Sequence, residues 1–186
     1  MDSSEEPPIR RLSTEVVYES PYLRMREDRI RRLDGSEGIY SYVEKPDYAL
    51  VIPIENGGLH LVCQYRYTIR ARSWEFPQGT FPNMATGDPE HLAREELRQE
   101  TGLTAERMTH LGRLDCAKGM SSQGFDVFVA TGLVPGPNEL EVEEQDLVHR
   151  WFPRAEAERM MRDGGITDAA TLAAYALLLL SGTTHD

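Results

Sequence analysis

The chain has 186 residues, 40% of them hydrophobic, which suffices for one domain with its own core and nearly excludes a second of full size. Its 31 acidic residues outnumber 20 lysines and arginines, giving a net charge of −11, and a duplex nucleic-acid binder needs clustered cations that such a balance disfavours. Two cysteines cannot form a disulfide framework, so a reducing, cytoplasmic setting is expected.

The opening MDSSEEPPIRR carries acids first and has no apolar core of a signal peptide. The longest apolar stretch, Ala173 to Leu180, falls far short of the roughly 20 residues that cross a bilayer, so no membrane partner is expected. Residues 1–14 read as a flexible tail and 15–186 as a single domain. Strand-like runs Tyr22–Leu33 and Ile39–Lys45 flank the turn Asp34-Gly35-Ser36-Glu37-Gly38. Tyr48–Ile54 and Leu59–Arg66 flank a second turn, Glu55-Asn56-Gly57-Gly58. The first strong helix follows, with Asp88 as N-cap, Pro89 at the first helical position and Gly102 as the stop. Further strands are expected at Met108–Cys116, Phe125–Ala130 and Leu147–Phe152, and helices over Arg154–Met161 and from Asp168 to Leu180. Strands, a central helix, more strands and terminal helices describe one α+β domain.

On the central helix, with Leu92 at zero, Ala93 falls at roughly 100° and Leu97 at 140°, while Glu96 falls at 40° and Glu100 at 80°. Arg94 and Arg98 lie on the opposite side. Two acids therefore point where the core-facing side chains point. Like charges at this spacing oppose each other, and more so when desolvated, so a positive partner is required. Either arginines from elsewhere supply it, or a divalent cation does, since Mg²⁺ takes one or two carboxylates together with substrate phosphates.

The segment WEFPQGTFPNMATGDPEHLAREELRQETGL, residues 74–103, resembles a Nudix box, anchored on Gly79 at its front and on Glu96, Leu97, Glu100, Gly102 and Leu103 at its back. YVEKPDYALVIPI, the LVCQYR strand and GGITDAATLAAYALLLL resemble the ADP-ribose pyrophosphatase branch of the same family. The resemblance implies an α/β/α sandwich with a mixed central sheet and an amino-terminal antiparallel sheet, the latter building a homodimer. It also implies Mg²⁺- or Mn²⁺-dependent hydrolysis of a nucleoside diphosphate derivative, with ADP-ribose or a nucleotide sugar as prime candidates.

The box departs from the family pattern. Gly79 and Glu96 stand two residues further apart than the family norm, so the loop after Gly79 carries an insertion. The early box Glu falls on Gly87, the box Arg on Glu95, and the first acid of the Glu-Glu pair on Gln99. By resemblance the metal ligands are Glu96 and Glu100, joined by the backbone carbonyl of Gln78, with Gln99 bringing an amide and no charge. The base is expected in Glu143-Glu144-Gln145-Asp146, with Glu143 the first choice and Glu144 the second; a solvated acidic turn is the alternative. Arg66 matches a diphosphate-binding arginine, Arg70 and Arg72 are looser candidates on the next loop, and Tyr40 lies where the family presents side chains to a nucleobase. Gln123 stands where a second family loop carries Glu. The amides at 99 and 123 keep a rival in view, a Nudix-fold nucleotide-binding or regulatory protein with impaired catalysis. Glu75 reads as structural.

Overall fold

The computed structural model describes residues 7–140 and 142–182, apart from the side chain of Glu143. Three strands open the chain: β1 (Ile9–Glu19), β2 (Arg24–Arg32) and β3 (Glu37–Glu44), paired antiparallel in that order. The β2–β3 turn closes as its Asp-Gly pair predicts, with Gly35 at φ 82° and the Asp34 carboxylate accepting from Ser36 N at 2.9 Å. Cross-strand ions hold the register, Glu37 meeting Arg31 at 2.7 Å and Arg29 at 3.0 Å.

The stretch 9–14, expected within a flexible tail, belongs to β1. Almost all of β1 is exposed, so it has no face buried in this chain and offers no two-residue apolar period for the sequence to reveal.

A seven-stranded mixed sheet forms the body. β4 (Tyr48–Glu55) and β5 (Gly58–Arg66) make the second hairpin, β6 (Ala71–Glu75) extends β5, and the short β7 (Gln78–Thr80) pairs with the start of β4. After α1 (Pro89–Thr101) come β8 (Leu103–Asp115), β9 (Gly124–Pro135) and β10 (Val148–Pro153), then α2 (Arg154–Arg162) and α3 (Ala169–Leu180). The main order is β10-β5-β4-β9-β8. β4 and β9 run parallel and the remaining pairs antiparallel, which makes the sheet mixed.

β4 explains the layering. Leu50, Ile52 and Ile54 point into a cluster with Phe76, Tyr175 and Leu178 on the α2–α3 side. Ala49 and Val51 point the other way, onto Leu92, Ala93 and Leu97 of α1. An apolar run buried on both faces is what a central strand between two helical layers requires. The amino-terminal sheet joins this body where Val43 N donates to Met120 O at 2.8 Å and Ser122 N to Val43 O at 3.1 Å. Four strands differ from expectation. β8 starts five residues before Met108, and β9 runs five residues past Ala130. β6 and β7 are too short to show a period.

Candidate active site

The site begins with α1 and the strand before it. Asp88 caps the helix by accepting from Glu90 N, Pro89 occupies the first position, and Gly102 ends it at φ 72°. That phase seats Leu92, Ala93 and Leu97 against β4 and carries Glu96 and Glu100 inward beside them, 8% and 1% exposed. Arg94 and Arg98 turn outward to Glu90, Glu95 and Glu139. The wheel derived from the sequence is thus the one adopted.

Glu100 accepts from Gln78 N at 3.1 Å, tying the helix to β7. Next to that residue, a Cβ built on Gly79 would lie 2.4 Å from the Glu96 carboxylate, so any side chain at 79 displaces the acid. Burial first, and then the negative charges of Glu96, Glu144 and Glu75, push the Glu100 carboxyl well above its ordinary range. Glu144, half-buried in a single 3₁₀ turn over Val142–Glu144, completes the group: one carboxylate oxygen each from Glu96, Glu100 and Glu144 lie within 4.8 Å of one another. Hard oxygen donors crowded at that spacing suit a divalent cation such as Mg²⁺ or Mn²⁺.

Two clefts meet beside this trio. One, of about 530 Å³, is lined by Tyr48, Glu75, Gln78, Gln123 and Asp168 among others. The other, of about 480 Å³, is lined by Tyr22, Phe81, Met84, Glu96 and Glu144 among others. Lys45, Arg66, Gly79 and Thr80 border both. Arg66 is pinned there by an ion pair with Glu75, which is 2% exposed and also receives Gln64 Nε2 at 3.3 Å. Burial raises the Glu75 carboxyl, and the Arg66 guanidinium opposes that shift. Among the described residues one arginine thus stands at the junction, with its orientation fixed from behind.

The structure brings together Glu96, Glu100 and Glu144, and sets Gln78 and Arg66 beside them. The backbone carbonyl of Gln99 accepts from Glu139 N at 3.1 Å, and the third acid of the trio comes from Glu144. The side chain of Glu143 lies outside the described residues. Gln123 borders the larger cleft while donating to Pro46 O at 2.7 Å, and Tyr40 donates to Gly119 O at 3.0 Å. Arg70 sits in the β5–β6 turn at φ 53°, with its neighbours Thr68 and Ile69 lining the cleft. Sequence reasoning passed over Lys45 and Thr80, single polar residues with no pattern around them. Asp168 entered it only as a helix cap, yet it also borders the cleft, with Gln78 Nε2 3.5 Å from its carboxylate.

Comparison with known proteins follows the same division of the chain. The model of the nucleoside diphosphate sugar hydrolase N-terminal domain matches residues 9–43, the amino-terminal sheet, and that of the NUDIX domain matches residues 44–174. An ADP-ribose pyrophosphatase of Mycobacterium tuberculosis is 36% identical over 165 residues, covering 87% of this chain and 79% of that protein. An ADP-ribose pyrophosphatase of Bacillus subtilis is 25% identical, covering 91% of this chain and 90% of its own length. A methanol dehydrogenase activator of Bacillus methanolicus is 26% identical over 91% of each chain. A crystal structure of an ADP compounds hydrolase shares the fold, with a TM-score of 0.81 over 95% of each chain at 21% identity. With the family domain spanning most of its length and its helix acids gathered beside Gly79, the chain belongs to the Nudix hydrolase family.

Proposed function

We propose that the protein hydrolyses the diphosphate bond of a nucleoside diphosphate derivative, ADP-ribose or a nucleotide sugar, with Mg²⁺ or Mn²⁺ held by Glu96, Glu100 and Glu144. The observation that carries this reading is the carboxylate trio opening where two clefts meet at Arg66 and Lys45. Two clefts joined at a cationic junction suit a molecule with a group on either side of a diphosphate. The names of the mycobacterial and Bacillus subtilis relatives point to ADP-ribose.

A bound divalent ion neutralises phosphate charge and lowers the pKa of a coordinated water. The chain's own residues do the rest. Arg66, braced by Glu75 through Nη2, offers its remaining N–H groups to the phosphate oxygens, where a planar guanidinium fixes orientation. Lys45 adds a second cation on the same wall. Gly79 leaves the Glu96 carboxylate its place. With Glu144 in the trio, Glu143 is the residue we assign as general base, to take the proton from the attacking water. The carbonyl of Gln78 is available as a further oxygen ligand, and Gln99 as an uncharged one. Tyr40, Gln123 and Arg70 are assigned to the substrate's outer groups.

The active unit we propose is a homodimer through the amino-terminal sheet, where Val17, Tyr18 and Ile39 are all about half exposed or more. A cytoplasmic enzyme fits the two free cysteines. Among the described residues no helix is long and apolar enough to cross a membrane.

Assays for the two phosphomonoester products, a nucleoside monophosphate and a second phosphate ester, from ADP-ribose, ADP-glucose, UDP-glucose and dinucleotides, in Mg²⁺, Mn²⁺ and EDTA, test the reading. Turnover of at least one compound that EDTA abolishes is expected. Tight binding without turnover of any compound would replace it with the nucleotide-binding reading, which the amides at 99 and 123 favour.

A further inference from the structure

Glu144 reaches the other two acids from a short turn. Its charge adds to the repulsion on the buried Glu100, and its turn is a single 3₁₀ step on the surface. Two places on, Asp146 is tied to the sheet. The Asp146 carboxylate accepts from Tyr65 N at 3.0 Å and from Arg72 Nη1 at 2.9 Å. Arg72 Nη2 donates to the Asp146 carbonyl at 2.5 Å and to Cys63 O at 3.4 Å. Tyr65 and Arg72 are themselves opposite one another in the β5–β6 ladder, so Asp146 is fastened to both strands at one rung. On the other side, Leu147 N donates to Glu144 O at 2.8 Å and closes the turn.

We propose that Arg72 and Asp146 are positioning residues that clamp the acidic turn to the β5–β6 ladder and thereby deliver Glu144 to the Glu96–Glu100 carboxylates. This reassigns Arg72, which borders neither of the two clefts, from substrate candidate to support. An exposed ion pair by itself contributes little to stability. Here the fork holds a side chain and a main-chain carbonyl at once, so its effect is on geometry. Lysine, a point charge, cannot reproduce that grip. The inference rests on the reading of the trio as a cation site.

The test is Mn²⁺ affinity, measured by titration calorimetry and by the electron paramagnetic resonance signal of free Mn²⁺, with steady-state rates alongside. Wild type, Arg72→Ala, Arg72→Lys, Asp146→Asn, Glu144→Gln and the double variant Arg72→Ala/Glu144→Gln are compared. Arg72→Ala is expected to weaken Mn²⁺ binding roughly tenfold, as loss of a ligand's supporting partner does. Its kcat falls with little change in KM. Arg72→Lys recovers little of this, and Asp146→Asn, which leaves the main-chain contact in place, falls between. In the Glu144→Gln background, Arg72→Ala has no further effect on Mn²⁺ affinity. Unchanged affinity in Arg72→Ala, or an equal loss in both backgrounds, overturns the clamp while leaving the cation site standing. A wild type that binds no Mn²⁺ overturns the cation site and the clamp with it.

Discussion

The amino-terminal sheet and the face of α1 both carry many acids, and they treat them in opposite ways. On the sheet, Glu37 stands in water between Arg29 and Arg31, and Glu19 meets Arg24. On the helix, Glu100 is buried among Glu96, Glu144 and Glu75. Exposed, matched ions set strand register and contribute little to stability. Buried like charges oppose folding, and a chain keeps them only where something else is gained. The difference separates scaffold from site.

The largest effect should come from exchanging the two kinds of acid for amides. Glu100→Gln should cut hydrolysis at least tenfold and largely abolish the rise in melting temperature caused by Mn²⁺, without lowering the melting temperature in EDTA. Glu37→Gln should leave rate and metal response alone. Rates and thermal melts of both variants check this, and a Glu100→Gln enzyme with normal metal-dependent turnover breaks the contrast.

Gly79→Ala is the next test. The added methyl meets the Glu96 carboxylate, the movable end of a flexible side chain, so the fold should survive while the acid is pushed aside. A several-fold loss of Mn²⁺ affinity with a near-normal far-UV spectrum is expected. Loss of folding instead would make Gly79 a packing residue.

The smallest effect concerns a third kind of charge site, the buried His60 and its half-buried partner His149, whose ring nitrogens lie 2.8 Å apart. Burial, and then the charge of His60, lowers the His149 imidazole to about 4. The unfolded chain protonates this histidine from its ordinary 6.5 downward, while the folded chain resists, so the unfolded state binds more protons in that window. Stability should therefore fall between about pH 6.5 and 4, by an amount on the order of 1–2 kcal/mol once solvent screening is discounted. Denaturant melts across that range should show the slope, and His149→Gln should flatten it. An unchanged slope would assign the acid sensitivity to other groups.

Much of this was legible in the sequence because it rests on period and punctuation. The phase of Leu92, Ala93 and Leu97 put Glu96 and Glu100 inward, and Asp88, Pro89 and Gly102 marked the helix ends. Other features had no such signal. β1 has no buried face, and β6 and β7 are too short for alternation to stand out. The grip of Arg72 on Asp146 joins residues remote in sequence through a guanidinium fork, and nothing in either neighbourhood announces it. Lys45 reaches the cleft only because the amino-terminal sheet hands the chain to β4 there.

The carboxylate trio draws on two places far apart in the chain, α1 and the turn before β10, and β7 leans on it from a third. No local segment can assemble it, because the turn that carries Glu144 follows β9 in the chain and leads into β10, which pairs back to β5. During synthesis the cation site is therefore among the last features that can form, and in refolding it is expected to form late. Metal-dependent turnover then serves as a clock for completion of the fold: it should lag behind the recovery of secondary structure, and Mn²⁺ added at the start should slow unfolding without speeding the early folding phase.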